Sequence, residues 1–394
     1  VGFRMMMTDL VRQEIATAAS TVVAKIGTRP LTKDDGTLDN WRIEALAEEI
    51  HRQLTEGRRV VLVSSGAVGA GMGQLAMRQR PADVRHLQAV AAIGQSYLVQ
   101  AYERSLRLHG RHAAQILLTA DDFNERPRSL NVRNALLTLL EMGAVPIVNE
   151  NDSVSVEELN TTFGDNDRLA ALVTIELPAP LLVILSDVDG LYDGDPASGN
   201  ARVIDVVPKI DDGVRALATD RRTGHSKGGM ASKLEAARIA TLAGENVVIA
   251  NGRRPGVLGR ILAGEKEGTL FLADGARVAA RKRWIGFSVQ PQGRLVLDDG
   301  ARRAVEQQGR SLLAIGVVDV DGRFTRGDVV ALTDRSGAEF ARGLVNYPAD
   351  ELAKIKGLNS ERVAEVLGHC PYGEVIHRDN LQLTQSNRSE TASS

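Results

Sequence analysis

Two short clusters of acidic and amide side chains are the residues of this sequence best suited to binding a small molecule. The first, Asn-Glu-Asn-Asp at residues 149–152, follows the apolar run 144–148, and the second, Gly-Asp-Asn-Asp at residues 164–167, directly precedes the helix-forming stretch 168–173. Carboxylates and carboxamides at the end of a buried strand can bind an ammonium group, hold a catalytic lysine or order a metal-bound phosphate. Ligands of open α/β sheets bind at the carboxyl ends of the strands. The two clusters therefore predict a small-molecule site.

Two lysines occupy positions suited to neutralising a phosphate. Lys25 lies near the end of a predicted strand and is followed by Gly27, whereas Lys233 follows a glycine pair at residues 228–229 by about one helical turn. Backbone amides at a helix start and a nearby ammonium can bind the same anion. Each lysine taken alone is also compatible with an ordinary solvated side chain.

Other segments allow two interpretations each. The strand 60–63 leads into a glycine-rich stretch at residues 64–73, which could present amides to an anion or form a tight packing turn. Ser186 and Asp187 follow the apolar strand 181–185 and could contact a nucleotide or a metal, or simply cap a turn. The sequence contains no Gly-x4-Gly-Lys-Ser/Thr motif, which excludes a P-loop, and its histidines lack zinc-ligand spacing.

The elements that must position these residues alternate between short apolar strands and longer helices. We expect strands at 21–26, 60–63, 114–118, 145–148, 181–185 and 246–250, and helices at 41–54, 87–106 and 234–243. Nearly continuous Val, Ile and Leu strands separated by helices indicate a mostly parallel sheet covered on both faces. The predicted fold is a three-layer α/β/α sandwich with a small β-barrel-like domain after it.

The change of pattern near residue 268 gives the predicted domain boundaries. Shorter strands and tight turns follow it, as in a small β-rich domain. We expect a disordered or ragged N-terminus at 1–18, the α/β domain at 19–268, a linker at 269–281, the β-rich domain at 282–382 and a disordered tail at 383–394.

The composition argues against several classes of protein. The chain has 394 residues, 43% of them hydrophobic and 25% charged, with a formal net charge of -2, which gives no support for coating nucleic acid or for binding an anionic membrane. A single cysteine cannot form an intrachain disulfide, and we expect a cytoplasmic protein. No apolar run is long enough to predict a membrane span.

Taken together and in order, these motifs resemble the amino acid kinase family. The C-terminal part, from residues 281–285 to residues 372–379, is similar to a PUA domain. The kinase resemblance rests on residues 22–28, 63–68, 149–152, 164–167, 186–192 and 228–233. The pair of acidic-amide clusters is similar to that of members that phosphorylate the γ-carboxylate of L-glutamate with ATP, the first step of proline biosynthesis.

The resemblance implies a role for each matching residue. Lys25 and Lys233 would neutralise the transferring phosphoryl group and Asp167 would hold both lysines in place, so these three are the expected catalytic residues. Substrate glutamate would be bound by Ser65, Asp152 and Asn166. ATP would be bound by the two lysines together with Ser186, Asp187, Lys227, Gly228, Gly229, Met230, Ala231 and Ser232. Mg²⁺ would be held largely by ATP oxygens and water, with no dedicated protein ligand.

The resemblance also implies inhibition by proline and assembly into dimers or tetramers. Two alternatives remain at this point: a related kinase that acts on another carboxylate, and an RNA-binding or regulatory protein that works through its PUA domain. Residues 281–382 contain 15 Lys and Arg against 14 Asp and Glu, a nearly neutral balance. Because RNA binding depends on neutralising phosphates, this balance argues against the RNA alternative.

Overall fold

The computed structural model describes residues 2–33, 35–119, 121–154, 165–218, 229–275, 282, 284–367 and 372–384. The chain divides into two compact units, the first formed by Val1–Asp122 and Pro127–Ala276 and the second by Phe123–Arg126 and Arg277–Ser394. Among the described residues, no helix combines the length and the apolar character needed to cross a lipid bilayer.

The first unit is organised around an eight-stranded sheet. Its strands have the order β3-β4-β2-β1-β5-β7-β8-β6, and every neighbouring pair is parallel except β7 and β8. The strands are β1 (Thr21–Ile26), β2 (Arg59–Ser64), β3 (Ala113–Leu118), β4 (Val145–Glu150), β5 (Leu181–Ser186), β6 (Val206–Val207), β7 (Asn246–Asn251) and β8 (Thr269–Phe271).

The strands of this sheet show why the sequence folds this way. Every residue of β1, β4 and β5 is buried. Because successive residues of a strand point to opposite faces, both faces of the sheet must be covered. The predicted mostly parallel α/β architecture is confirmed, and the six strands expected from sequence begin and end within two residues of their predicted limits.

Helices connect the strands. They are α1 (Gly2–Ala18), α2 (Thr28–Leu31), α3 (Asn40–Thr55), α4 (Ala67–Gln74), α5 (Val84–Arg107), α6 (Asp121–Asn124), α7 (Arg126–Glu141), α8 (Asp165–Glu176), α9 (Asp212–Leu217), α10 (Met230–Leu242) and α11 (Val257–Leu262). Helix α3 illustrates the pattern, since Ile43, Leu46 and Ile50 recur at helical spacing and join the main core.

Two segments differ from the sequence-based expectation. Residues 2–18, expected to be disordered, form α1, and the buried guanidinium of Arg12 donates hydrogen bonds to the carbonyl oxygen of Glu267 at 3.0 Å and to the carboxylate of Asp205 at 2.8 Å. The expected linker 269–281 contains β8, which pairs with β7. Three residues are too few to show a strand periodicity, so β8 could not be predicted from the sequence.

The second unit contains a five-stranded sheet with the order β10-β9-β11-β12-β13. These strands are β9 (Gly293–Leu297), β10 (Val317–Gly322), β11 (Val329–Thr333), β12 (Glu339–Leu344) and β13 (Leu381–Leu383). The accompanying helices are α12 (Asp299–Glu306), α13 (Ala349–Ile355) and α14 (Ser360–Leu367), and the unit has its own apolar core. Of the predicted tail, residues 385–394 lie outside the described residues.

The glycine-rich stretch after β2 is mainly helical, because it packs closely against a neighbouring helix. A Cβ atom added at Gly71 of α4 would lie 1.9 Å from the carbonyl oxygen of Val90, and one added at Gly94 of α5 would lie 1.8 Å from that of Ala67. Such distances are far inside van der Waals contact. Glycines at these two positions therefore allow α4 and α5 to approach each other closely. This contact agrees with the interpretation of the glycine-rich stretch as a tight packing element.

We expect Gly71→Ala to lower the free energy of unfolding by about 2 kcal/mol or more, since backbone must move to admit the methyl group. Gly69→Ala in the same helix is the matched control, because its added Cβ would make ordinary contacts no closer than 3.4 Å. Thermal or denaturant unfolding of both variants checks the prediction. Equal stability of the two variants would contradict the packing role.

Candidate functional site

Several of the predicted site residues lie at or just after the carboxyl ends of strands, and these ends meet at one edge of the parallel sheet. Ile26 of β1 is in register with Ser64 of β2 and Leu185 of β5, and Ser186 is in register with Asn251 of β7. Strand β4 is hydrogen-bonded to β2 on the other side. The loops that leave these strands are therefore neighbours, as expected for the ligand-binding edge of an α/β sheet.

Three charged side chains from separate segments form one buried cluster. The Nζ atom of Lys25 lies 2.6 Å from Oδ1 of Asp167, and Nζ of Lys233 lies 3.1 Å from Oδ2 of the same carboxylate. The exposed fractions are 6% for Lys25, 1% for Asp167 and 4% for Lys233. With both lysines protonated, the cluster carries one net positive charge away from bulk water.

Asp167 and Lys233 reach the carboxyl end of β1, where Lys25 lies, from the starts of two helices. Asp167 is the third residue of α8, and Lys233 is the fourth residue of α10. Ser232 reinforces the arrangement, because its hydroxyl lies 3.0 Å from Oδ2 of Asp167 and 3.0 Å from the carbonyl oxygen of Gly229. Since each of these helices begins within a few residues of the cluster, the positive ends of two helix dipoles add to its potential for binding an anion.

Burial and charge act in opposite directions on this cluster. Burial acts to raise the pKa of the Asp167 carboxyl, but the charges of Lys25 and Lys233 outweigh it and hold that pKa below its ordinary value of 3.8. Burial lowers the pKa of Lys233 below its ordinary value of 10.5, and the neighbouring charge of Lys25 adds to this shift. The carboxylate thus stays ionised at neutral pH, whereas Lys233 loses its proton more readily than a solvated lysine.

The residues expected to bind the substrate lie at the same sheet edge. Ser65 follows β2 directly, and its backbone N–H donates to the carbonyl oxygen of Ile26 at 3.1 Å. Asp152 lies two residues after β4. Asn166 precedes Asp167 in α8, and its buried side-chain oxygen has no hydrogen-bond partner among the described residues. An unpaired buried acceptor is costly unless a ligand fills it.

The residues expected to bind ATP are described in part. Ser186 ends β5, and its hydroxyl donates to Asp187 at 3.1 Å. Residues 229–232 lie at the N-terminal end of α10, with Gly229 in the position that caps it. Lys227 and Gly228 lie outside the described residues.

Two interactions near the site were missed by sequence reasoning. The guanidinium of Arg29 forms an ion pair with the carboxylate of Asp187. On the other side, Asn149 of β4 donates its side-chain N–H to the side-chain oxygen of Gln95 at 2.8 Å. Gln95 lies within a long helix and belongs to no motif in the sequence. The only sequence signal for this contact is that Asn149 belongs to the first acidic-amide cluster.

Among the side chains that the structure describes around the cluster, none form a dedicated metal site. Within the described ranges, no group of three or more His, Cys, Asp or Glu side chains is arranged to hold a metal ion. The carboxylate of Asp167 already contacts two ammonium groups. A divalent cation that reached this edge would therefore need most of its ligands from a bound anion and water.

The chain is similar to known proteins along almost its whole length. The model of the amino acid kinase family matches residues 20–251, and the model of the PUA domain matches residues 293–367. A glutamate 5-kinase from Rhodopirellula baltica is 50% identical over 373 residues, which are 95% of this chain and 96% of that protein. A glutamate 5-kinase from Caldanaerobacter subterraneus subsp. tengcongensis is 45% identical over 361 residues, 91% of this chain and 96% of the relative.

Solved structures also align with the chain. A UMP kinase from Bacillus anthracis covers 65% of this chain and 97% of its own, with 19% identity and a TM-score of 0.46.

Because one family model matches more than half of the sequence and relatives near 50% identity span almost all of it, this chain belongs to the amino acid kinase family.

Proposed function

We propose that this protein transfers the γ-phosphoryl group of ATP to the γ-carboxylate of L-glutamate, giving L-glutamyl 5-phosphate, the first step of proline biosynthesis. The buried cluster of Lys25, Asp167 and Lys233 is the observation that carries the proposal. The relatives named glutamate 5-kinase, which match almost the whole chain, support the choice of substrate.

The cluster suits a reaction between two anions. The γ-carboxylate is ionised at neutral pH, so one of its oxygens can form the new bond to phosphorus without giving up a proton. The bond from phosphorus to the ADP oxygen breaks, and its electron pair leaves with ADP. Catalysis then depends on alignment and on stabilising the charge of the transferring group. Lys25 and Lys233 supply that stabilisation, and Asp167 fixes both ammonium groups as a positioning residue.

Mg²⁺ bound to ATP would be held largely by ATP oxygens and water, and it would neutralise part of the charge on the phosphates. Residues 229–232 at the start of α10 offer backbone N–H groups to the nucleotide phosphates. Ser186 ends β5, next to β7, and we assign Ser186 and Asp187 to the nucleotide side of the site. Lys227 and Gly228 stay predicted ATP-binding residues.

The amino acid substrate binds on the side of β2 and β4. Ser65 and the amides that follow it hold the substrate, while Asp152 pairs with its α-ammonium group. Asn166 accepts a hydrogen bond from the substrate through its side-chain oxygen, which has no partner among the residues that the structure describes. Inhibition by proline and assembly into dimers or tetramers stay predictions that accompany this proposal.

Trapping the product tests the proposed reaction. Purified protein with L-glutamate, ATP and Mg²⁺ should form γ-glutamyl hydroxamate when hydroxylamine is present, because hydroxylamine attacks the acyl phosphate. The same assay with aspartate, N-acetylglutamate and carbamate measures the alternative of another carboxylate substrate. The absence of hydroxamate at every glutamate concentration would overturn the proposal.

The depressed pKa of Lys233 predicts an early loss of activity at alkaline pH. Because the protonated ammonium is required and its pKa lies below 10.5, kcat/KM should fall at a lower pH than a solvated lysine would allow. The carboxylate of Asp167, whose pKa is lowered, stays charged in mild acid and should not limit activity there.

Lys233→Arg is the variant that assigns this alkaline limb. A guanidinium does not lose its proton in this range, so the remaining activity of the variant should extend to higher pH. A pH profile of kcat/KM that falls at the same pH in both proteins would assign the limb to a different group.

A further inference from the structure

Gln95 of α5 presents a buried hydrogen-bond donor that no part of the proposed reaction uses. Only 7% of Gln95 is exposed, and its side-chain nitrogen has no hydrogen-bond partner among the described residues. Leaving a buried N–H group without a partner is costly, so such a group commonly awaits a ligand.

The orientation of the Gln95 amide is fixed by its neighbours. The backbone N–H of Glu150 donates to the side-chain oxygen of Asn149 at 2.9 Å, so the nitrogen of Asn149 must face Gln95. That nitrogen donates to the oxygen of Gln95 at 2.8 Å. Since turning either amide would break one of these bonds, the nitrogen of Gln95 is the atom without a partner in the described part of the chain.

The position of Gln95 places this donor on the amino-acid side of the site. A Cβ at the preceding residue, Gly94, would lie 1.8 Å from the carbonyl oxygen of Ala67, in the first turn of α4. Gln95 thus lies close to the helix start that follows Ser65, while its partner Asn149 belongs to the first acidic-amide cluster.

The sheet order suggests which end of glutamate reaches Gln95. Lys25 is on β1, and β4, which carries Asn149, is two strands away. Two strand spacings correspond to about 9.5 Å, which a five-carbon dicarboxylate with a hydrogen bond at each end can bridge. With the γ-carboxylate at the lysine cluster, the α-carboxylate lies on the β4 side.

We propose that Gln95 binds substrate, its side-chain N–H donating to the α-carboxylate of glutamate while its oxygen holds Asn149. This inference rests on the proposed function. The interaction is the same in the ground state and the transition state, so its loss changes KM for glutamate more than kcat.

Gln95→Glu separates the two roles of the side chain. The acid keeps an oxygen for Asn149 but replaces the donor by an anion that repels the substrate carboxylate. We expect KM for glutamate to rise about 10-fold or more, with KM for ATP and kcat changed by about twofold at most. Lowering the pH protonates the new acid and restores an O–H donor, so KM for glutamate should recover in acid. The unsubstituted protein should show no such recovery.

Gln53→Glu is the matched control. Gln53 is also buried, at 3% exposure, and its oxygen accepts a hydrogen bond from Arg58 at 2.6 Å, near the amino ends of the strands. This variant should keep the unsubstituted KM for glutamate. Should Gln95→Glu fail to fold, Gln95→Met removes the donor without adding charge and should still raise KM for glutamate selectively.

The inference would be overturned if a folded Gln95→Glu or Gln95→Met variant kept KM for glutamate within about twofold of the unsubstituted value. An equal rise in KM for glutamate and for ATP would overturn it as well. These outcomes are distinct from failure of the proposed function, in which the unsubstituted protein itself forms no hydroxamate.

Discussion

Asp167→Asn should lower kcat by about 1000-fold and also destabilise the protein. The substitution keeps the shape of the side chain but removes the negative charge between two ammonium groups that are nearly inaccessible to water. Lys25 and Lys233 would then repel each other and lose their fixed positions. Breaking a buried ion pair costs about 3–5 kcal/mol, which corresponds to a fall of about 6–12 °C in Tm for a unit of this size.

Steady-state kinetics and thermal unfolding measure both effects. Asp319→Asn is the matched control, because Asp319 pairs with Lys356 at 2.7 Å in an exposed position, where an ion pair contributes about 1 kcal/mol or less. The double variant Asp167→Asn with Lys233→Met returns the cluster to one net positive charge. Its stability should recover relative to Asp167→Asn while its activity should not. A single Asp167→Asn variant with near-normal kcat would contradict the positioning role.

Lys233→Met should lower kcat by about 100- to 1000-fold without lowering stability. The ammonium of Lys233 is predicted to contact the transferring phosphoryl group, where charge stabilisation is strongest in the transition state. Its pKa is depressed by burial and by Lys25, so the fold disfavours the protonated form. Keeping Lys233 protonated in the folded protein therefore costs free energy at neutral pH. Replacing it by an apolar side chain removes this cost and leaves the pair of Lys25 and Asp167 intact, so Tm should stay the same or rise.

The comparison of kcat with Tm in the same variant is the decisive measurement. Lys266→Met serves as the control, because Lys266 pairs with Asp205 at 2.7 Å but is 55% exposed, so its loss should change neither quantity by much. If Lys233→Met lowered Tm as well as kcat, Lys233 would be a structural residue rather than one that stabilises the transferring phosphoryl group.

Much of the fold could be predicted because the central strands are apolar along their whole length. Strands β1 and β5 are buried on both faces, and this condition is visible in their composition alone. The glycine-rich stretch was harder to predict. Glycine disfavours a helix by about 1 kcal/mol per residue, so local preference pointed to a turn, and the contact between α4 and α5 overrides it.

The site could be predicted as a set of residues but not as a geometry. The resemblance predicted that Asp167 holds both Lys25 and Lys233, whereas the distances of 2.6 and 3.1 Å and the burial of all three side chains are properties of the three-dimensional arrangement. The donor on Gln95 shows the same limit, because its partner Asn149 lies 54 residues away in sequence.

The bonds of Arg12 have a practical consequence for work with this protein. Its guanidinium donates to carbonyl oxygens of Glu267 and Gly268, more than 250 positions further along the polypeptide. A shortened version starting at Thr21 would leave these acceptors and the carboxylate of Asp205 without that donor. Laboratory variants trimmed to the first strand, although they retain every proposed active-site residue, should therefore be harder to purify in folded form than the intact polypeptide.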